Sequence, residues 1–280
     1  MPETTAPPTT SSAGSPAALP KGTRFEGAAS EADAGLAVRD MFSQIAPRYD
    51  LLNHLLSMQL DRVWRRRVAR RVRPILQRAD ARVLDLCCGT GDLALSLRRA
   101  PRTRAKIIGA DFSHAMLVRA RAKGSSGESG RAGRAVPLQE PDALPVFEAD
   151  ALRMPFADGS FDLVTTAFGF RNLANYEDGL REIYRVLRPG GTVAILEFTE
   201  PPPGLMGDLY RWYFRKVLPR IGAFLSGDGK AYSYLPASVS RFFRPAELAG
   251  LMTSVGYRAI EYKVWTFGTV ALHLGVKPTE

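Results

Sequence analysis

Val83-Leu84-Asp85-Leu86-Cys87-Cys88-Gly89-Thr90-Gly91-Asp92-Leu93-Ala94 reads as a short buried strand, a tight glycine turn and the first turn of a helix. Gly89 and Gly91 let the backbone turn sharply and approach a ligand with no Cβ in the way. With Ala94 they satisfy the dinucleotide fingerprint G-x-G-x-x-G/A. The charges argue otherwise. A pyrophosphate rests on a helix N-terminus beside bare amides, whereas Asp92 opens this helix and Asp85 stands in the strand before it. Two carboxylates would repel a phosphate and suit a ligand with a positive end, such as an amino group or a sulfonium.

The next strand, Lys106 to Ala110, is followed by Asp111. That is roughly the 20-residue distance at which an acid reaches a ribose hydroxyl. A nucleoside with cationic groups and no phosphate describes S-adenosylmethionine. Asp85, Gly89, Gly91 and Asp111 are therefore the expected cofactor cradle. The plain alternative is a tight turn capped by Asp92 with no ligand.

Outward from the turn, strands and helices alternate, which predicts parallel strands joined by crossovers. Strands are expected at 82–86, 106–110, 146–150, 161–166 and 192–198, and helices at 92–99, 113–123 and 177–187, with Ser113 as an N-cap. Strands at about 257–264 and 267–276 close the chain as a hairpin, after a helix at 245–255. The expectation is an α/β fold with a mostly parallel seven-stranded sheet and helices on both faces.

Residues 1–30 are rich in Pro, Thr, Ser, Ala and Gly and are expected to be disordered. Residues 31–80 read as an N-terminal helical lid and substrate region, with helices near 36–46, 47–57 and 62–76. Residues 81–280 form the main domain, with a flexible insertion at 124–145 and an excursion at 200–244. In that excursion Leu205 to Pro219 alternates aromatic and basic side chains, which suits a bilayer interface, a cover over a greasy substrate, or a helix packed on the sheet edge.

The 280-residue chain carries a net charge of +10, largely in arginine clusters. Such a balance could serve nucleic acid or an anionic membrane, or could be ordinary solvated surface. No aromatic-plus-glycine RNA motif is present, so nucleic acid is not the expected partner. The two cysteines are adjacent and the three histidines scattered, which gives no disulfide framework and no metal-ligand spacing. No apolar run of about 18 residues exists to span a membrane.

Several segments carry a family resemblance. Arg185-Val186-Leu187-Arg188-Pro189-Gly190-Gly191, before a strand ending in Glu197, resembles many class I methyltransferases. Tyr49-Asp50-Leu51-Leu52-Asn53-His54-Leu55-Leu56-Ser57, Phe168-Gly169-Phe170-Arg171-Asn172 and Ala231-Tyr232-Ser233-Tyr234-Leu235-Pro236-Ala237-Ser238 are narrower. Together they resemble the menaquinone/ubiquinone biosynthesis C-methyltransferases, over roughly residues 36 to 277. Leu52, Asp61, Arg188, Thr199 and the 124–145 insertion depart from the family pattern. So does Ala167, where some members place a cofactor-contacting Ser.

The resemblance implies a class I S-adenosylmethionine-dependent methyltransferase with a Rossmann-like sheet, methylating a ring carbon of a prenylated quinol. Demethylmenaquinol is the expected acceptor. A benzoquinol of the ubiquinone pathway, or another small acceptor, is the alternative. By resemblance Thr90, Asp111, Asp150 and Ala151 contact the cofactor. Arg171 and Asn172, aided by Asp150, handle the phenolic proton, with Arg171 lowering the phenol's pKa from near 10. Tyr49, Asp50, Asn53, Tyr232 and Tyr234 would line or close the quinol pocket. A lipid-tailed substrate implies a cytoplasmic protein held peripherally at the inner face of the membrane. A homodimer is compatible with this reading.

Overall fold

The computed structural model describes residues 21–279, apart from Glu26, 51–56, Met58, 126–142, 214–215 and 217–228. Seven strands form one sheet: β1 Arg82–Leu86, β2 Lys106–Asp111, β3 Val146–Glu148, β4 Phe161–Ala167, β5 Leu187–Phe198, β6 Arg258–Trp265 and β7 Val270–Val276. Their order is β3-β2-β1-β4-β5-β7-β6. The first five run parallel, while β7 pairs antiparallel with both β5 and β6. This is the expected mostly parallel seven-stranded architecture.

Period-2 alternation sends the strands' apolar residues to two faces. Leu84, Leu86, Val164, Val193 and Ile195 pack with helices α6 (Tyr176–Val186) and α9 (Pro245–Val255) in one core. Val83, Leu163, Ala194 and Leu196 pack with α2 (Leu60–Arg71) and α4 (Asp92–Arg98) in the other. The chain winds outward from β1 to β3, then returns to β4 and β5 on the opposite side. The strand order thus reverses between β1 and β4, and a ligand crevice opens beyond their carboxyl ends.

Five differences from expectation have local causes. The helix anticipated over 62–76 is two pieces, α2 and α3 (Arg73–Leu76), because Pro74 has no N–H to continue the ladder. Strand β5 starts at Leu187, five residues early, and the register jumps from Phe161↔Leu187 to Leu163↔Thr192 so that Arg188–Gly191 bulges out.

Asp150 lies beyond β3, in an isolated bridge with Arg153. Leu144, assigned to the flexible insertion, is fully buried. A Cβ on Gly91 would come within 3.1 Å of it, so Gly91 serves helix packing. Finally, the tail is anchored at its end. Thr23 is buried, its N–H donates to the Leu173 carbonyl, and the Tyr176 N–H donates to that of Lys21. Gly22 permits this, since a Cβ there would collide with the Ala174 carbonyl.

Helices α1 (Glu31–Ile45), α5 (His114–Ser125), α7 (Leu205–Trp212) and α8 (Gly229–Arg241) complete the described elements. None of the described helices is long and apolar enough to cross a membrane.

Candidate active site

The glycine turn is held from below by acids. Asp85 accepts the Ala94 N–H at 2.9 Å and the Thr165 hydroxyl at 2.8 Å, and burial pushes its carboxyl up to about 7. Asp111 accepts the N–H groups of Gly89 at 2.8 Å and Ser113 at 2.9 Å; burial raises it to about 6. The Gly91 N–H goes to the Cys88 carbonyl. The amides of Gly89, Gly91 and Ala94 are therefore spent within the protein. Gly89 has φ 55°, a left-handed conformation open to glycine, and faces the Tyr49 ring.

Asp92 departs from the expected acidic rim. It pairs with Arg65 at 3.2 Å and Lys123 at 2.7 Å, so the protein's own cations compensate its charge. Lys123 is a hub that the sequence did not signal. Its ammonium also donates to Thr90 at 2.8 Å and pairs with Asp50 at 2.7 Å, while the Thr90 hydroxyl donates to Asp50 at 2.5 Å. Asp50, expected in the acceptor pocket, instead ties the segment after α1 to the glycine turn.

A cavity of about 1070 Å³ opens over the sheet edge. Gly89, Asp111, Asp150 and Ala151 line its floor, and Tyr49 and Asn172 its far wall. Phe112 and Met116 add apolar surface, and Leu36, Arg39 and Phe42 of α1 cover the mouth. Asp150 accepts the Leu152 N–H at 2.9 Å. Asp85 lines a smaller recess of about 30 Å³ beside Thr90 and Asp92.

Behind Asn172, Tyr234 donates to its side-chain carbonyl at 3.0 Å and lies 2.8 Å from the Thr23 hydroxyl, and neither Tyr234 nor Thr23 lines the cavity. Burial pushes the Tyr234 phenol up. Phe25 packs on Tyr234, and Phe42 meets Tyr49 edge to face. Thr23 and Phe25 escaped the sequence reading because low complexity hid them. Tyr232 lies in α8, with its side chain outside the described residues, as is all of Asn53.

Arg171 is placed differently from its expected contact with a substrate oxygen. Its guanidinium is 4% exposed and is absent from the cavity lining. It pairs with buried Glu197 at 3.0 Å, donates to the Phe168 carbonyl and reaches Ser238 at 3.4 Å. Glu197 also accepts the Arg171 N–H. A buried charge requires a partner, and this pair fixes the segment that carries Asn172. Glu197 was visible in sequence only as a strand end.

This donor set fits S-adenosylmethionine. Carboxylates stand ready for hydroxyl groups and a cation, with apolar surface for a base. Among the described residues no His, Cys, Asp and Glu cluster could hold a metal.

Comparison with known proteins agrees with this geometry. A demethylmenaquinone methyltransferase of Thermus thermophilus is 49% identical over 85% of this chain and its own full length. A demethylmenaquinone methyltransferase of Deinococcus radiodurans is 46% identical, covering 88% of this chain and 94% of its own. A ubiquinone/menaquinone biosynthesis C-methyltransferase of Geobacter sulfurreducens is 42% identical over 88% of this chain and 90% of its own. Among solved structures, a SAM-dependent methyltransferase from Thermotoga maritima superposes with a TM-score of 0.56. It is 18% identical, covering 85% of this chain and 99% of that one, and shows the shared class I methyltransferase fold. Residues 29–277 match the model of one family, and the chain belongs to it: the ubiE/COQ5 methyltransferase family.

Proposed function

We infer that this enzyme methylates a ring carbon of a prenylated hydroquinone with S-adenosylmethionine, converting demethylmenaquinol to menaquinol. The observation that carries the reading is one cavity with two kinds of wall. A floor with Asp111 and Asp150 suits the cofactor, and Asn172, held from behind by Tyr234 and Thr23, suits a phenolic ring. Two relatives that cover the chain well are named demethylmenaquinone methyltransferases.

Asp111 would hold the ribose hydroxyls, and Asp150 and Ala151 the base side. Gly89 and Thr90 would lie along the methionine portion. Asp85 and Gly91 support the turn from beneath. When bound, the cofactor supplies an electrophilic methyl on a sulfonium.

A hydroquinol carbon becomes nucleophilic as its phenol loses a proton. Asn172 would orient that oxygen, with Tyr234 fixing the amide. Asp150, in the same cavity, would take the proton directly or through water. Arg171 then acts at one remove, as the residue that positions Asn172. Tyr49, and the lid residues around it, would shield the pair from water.

A lipid-tailed acceptor makes peripheral contact with the inner face of the cytoplasmic membrane part of this proposal. Assays offering demethylmenaquinol and its benzoquinol counterpart side by side, with labelled methyl donor, test it. Label in menaquinol is the expected result. Label confined to the benzoquinol, or absent from both, would contradict it.

A further inference from the structure

The β6–β7 hairpin turns at the same end of the sheet as the active-site cavity. Val270 opens β7 opposite both Phe198, the last residue of β5, and Trp265, the last of β6. The turn Thr266–Gly268 therefore sits on the ligand-bearing edge. Its most prominent residue is Phe267, 70% exposed and left-handed at φ 55°, ψ 26°. Both features are unfavourable for a large apolar side chain in water.

The turn is nonetheless firmly seated. The Trp64 indole N–H donates to the Thr266 hydroxyl at 2.9 Å, and the Arg67 guanidinium lies 5.4 Å above the Trp265 ring. Gly268 packs so closely on Pro201–Pro202 that a Cβ would come 2.5 Å from Pro202. Rigid presentation of an exposed phenyl ring calls for something to receive it.

The surroundings indicate what. Helix α7 packs against the turn and ends in Trp212, 58% exposed. Val63 on α2 adds exposed apolar surface. On the two elements that meet at the turn, Arg62, Arg66, Arg67 and Arg70 of α2 and Lys263 of β6 are exposed. The nearby carboxylates Glu261 and Asp208 already carry Arg71 and Arg211. Phe267 and Trp212 both expose most of their surface. Exposed aromatic rings beside elements rich in exposed cations match the headgroup boundary of an anionic bilayer, where rings insert and guanidiniums meet phosphate.

We propose that Phe267, Trp212 and the arginine face of α2 form the docking surface for anionic phospholipid. Its purpose rests on the quinol reading above: docking by this edge would set the cavity over the membrane that holds a lipid-tailed acceptor. The surface differs from the one expected in sequence, since its centre is the hairpin turn.

Vesicle binding tests it with no cofactor or quinol present. The full chain should co-sediment with phosphatidylglycerol/phosphatidylcholine vesicles, more strongly as the anionic fraction rises and less in high salt. Phe267→Asn should weaken binding by about tenfold, because asparagine keeps the left-handed turn and removes the ring. Arg66→Gln with Arg70→Gln should weaken it by about as much and flatten the salt dependence. Turnover of a short-tailed, water-soluble quinol should stay at the wild-type value in Phe267→Asn. Vesicle binding with no turnover of any quinol would leave the docking surface standing and remove the functional reading. Equal vesicle binding by Phe267→Asn and wild type would overturn the proposal. So would a wild type that ignores vesicles and self-associates through this turn.

Discussion

The two walls of the cavity are built in opposite ways. The wall proposed for the cofactor is made by strand ends that follow one another in sequence: Asp85 in β1 and the turn behind it, Asp111 at the end of β2, and Asp150 beyond β3. Backbone amides fix its acids, as Gly89 and Ser113 do for Asp111. The wall proposed for the acceptor has Tyr49 and Asn172 on separate segments, and side chains behind it fix Asn172: Tyr234 donates to its amide and Thr23 meets Tyr234. A wall held by backbone tolerates change in its neighbours, whereas a wall of linked side chains fails as a unit. The cofactor and acceptor constants should therefore respond to different substitutions.

The largest effect is expected behind the acceptor wall. Arg171→Met strands buried Glu197 and should cost roughly 3–5 kcal/mol of stability, read from denaturant unfolding. Adding Glu197→Leu should restore most of it. A loss below about 1 kcal/mol would show that the pair does not hold this wall.

Next comes the cofactor wall. Asp111→Asn should weaken S-adenosylmethionine binding by about 10- to 100-fold, the worth of a hydrogen bond to a charged group. The wild-type affinity should also fall as pH drops below about 6, where burial lets Asp111 take a proton, while Asp111→Asn stays flat.

Stability has the opposite sign. The folded protein holds the proton on Asp85 more tightly than the unfolded chain does. Stability should therefore decline as pH climbs from the unfolded value of 3.8 toward about 7. Thermal unfolding of Asp85→Asn should be flat between pH 6 and 7 and keep, below pH 6, the slope that Asp111 contributes. An unchanged slope would mean that Asp85 is ionised throughout.

The smaller effects sharpen the boundary between the walls. Tyr234→Phe should raise the quinol KM about three- to tenfold, the range of one neutral hydrogen bond, and leave cofactor affinity alone. Removing residues 1–20 should change nothing. Removing residues 1–25 should cost more than Tyr234→Phe, since the backbone bonds of Lys21 and Thr23 to Tyr176 and Leu173 go together with the contacts to that ring. A loss no larger than that of Tyr234→Phe would show that the tail acts through the ring alone.

The same contrast explains what could be read from sequence. Strand β1, the glycine turn and Asp111 were legible because local pattern and spacing determine them. So were the alternating units and the closing hairpin. Charge compensation at a distance was not legible: Asp92 looked like a ligand-facing acid, but Arg65 and Lys123 reach it from other helices. Arg171 misled for a related reason. Its position after β4 was right, yet burial against Glu197 turns it from an oxygen-binding cation into a support. Gly91 and Leu144 show the third cause, tight packing between residues that sequence distance separates. Thr23 and Phe25 lay within a stretch whose composition concealed them.

Calorimetry of S-adenosylmethionine with folded, full-length Asn172→Ala, set beside its quinol turnover, tests the division most directly. Wild-type cofactor affinity with turnover reduced at least tenfold is the predicted result. Cofactor affinity lost in step with turnover would mean that the cavity is a single site without separate walls, and would contradict the account.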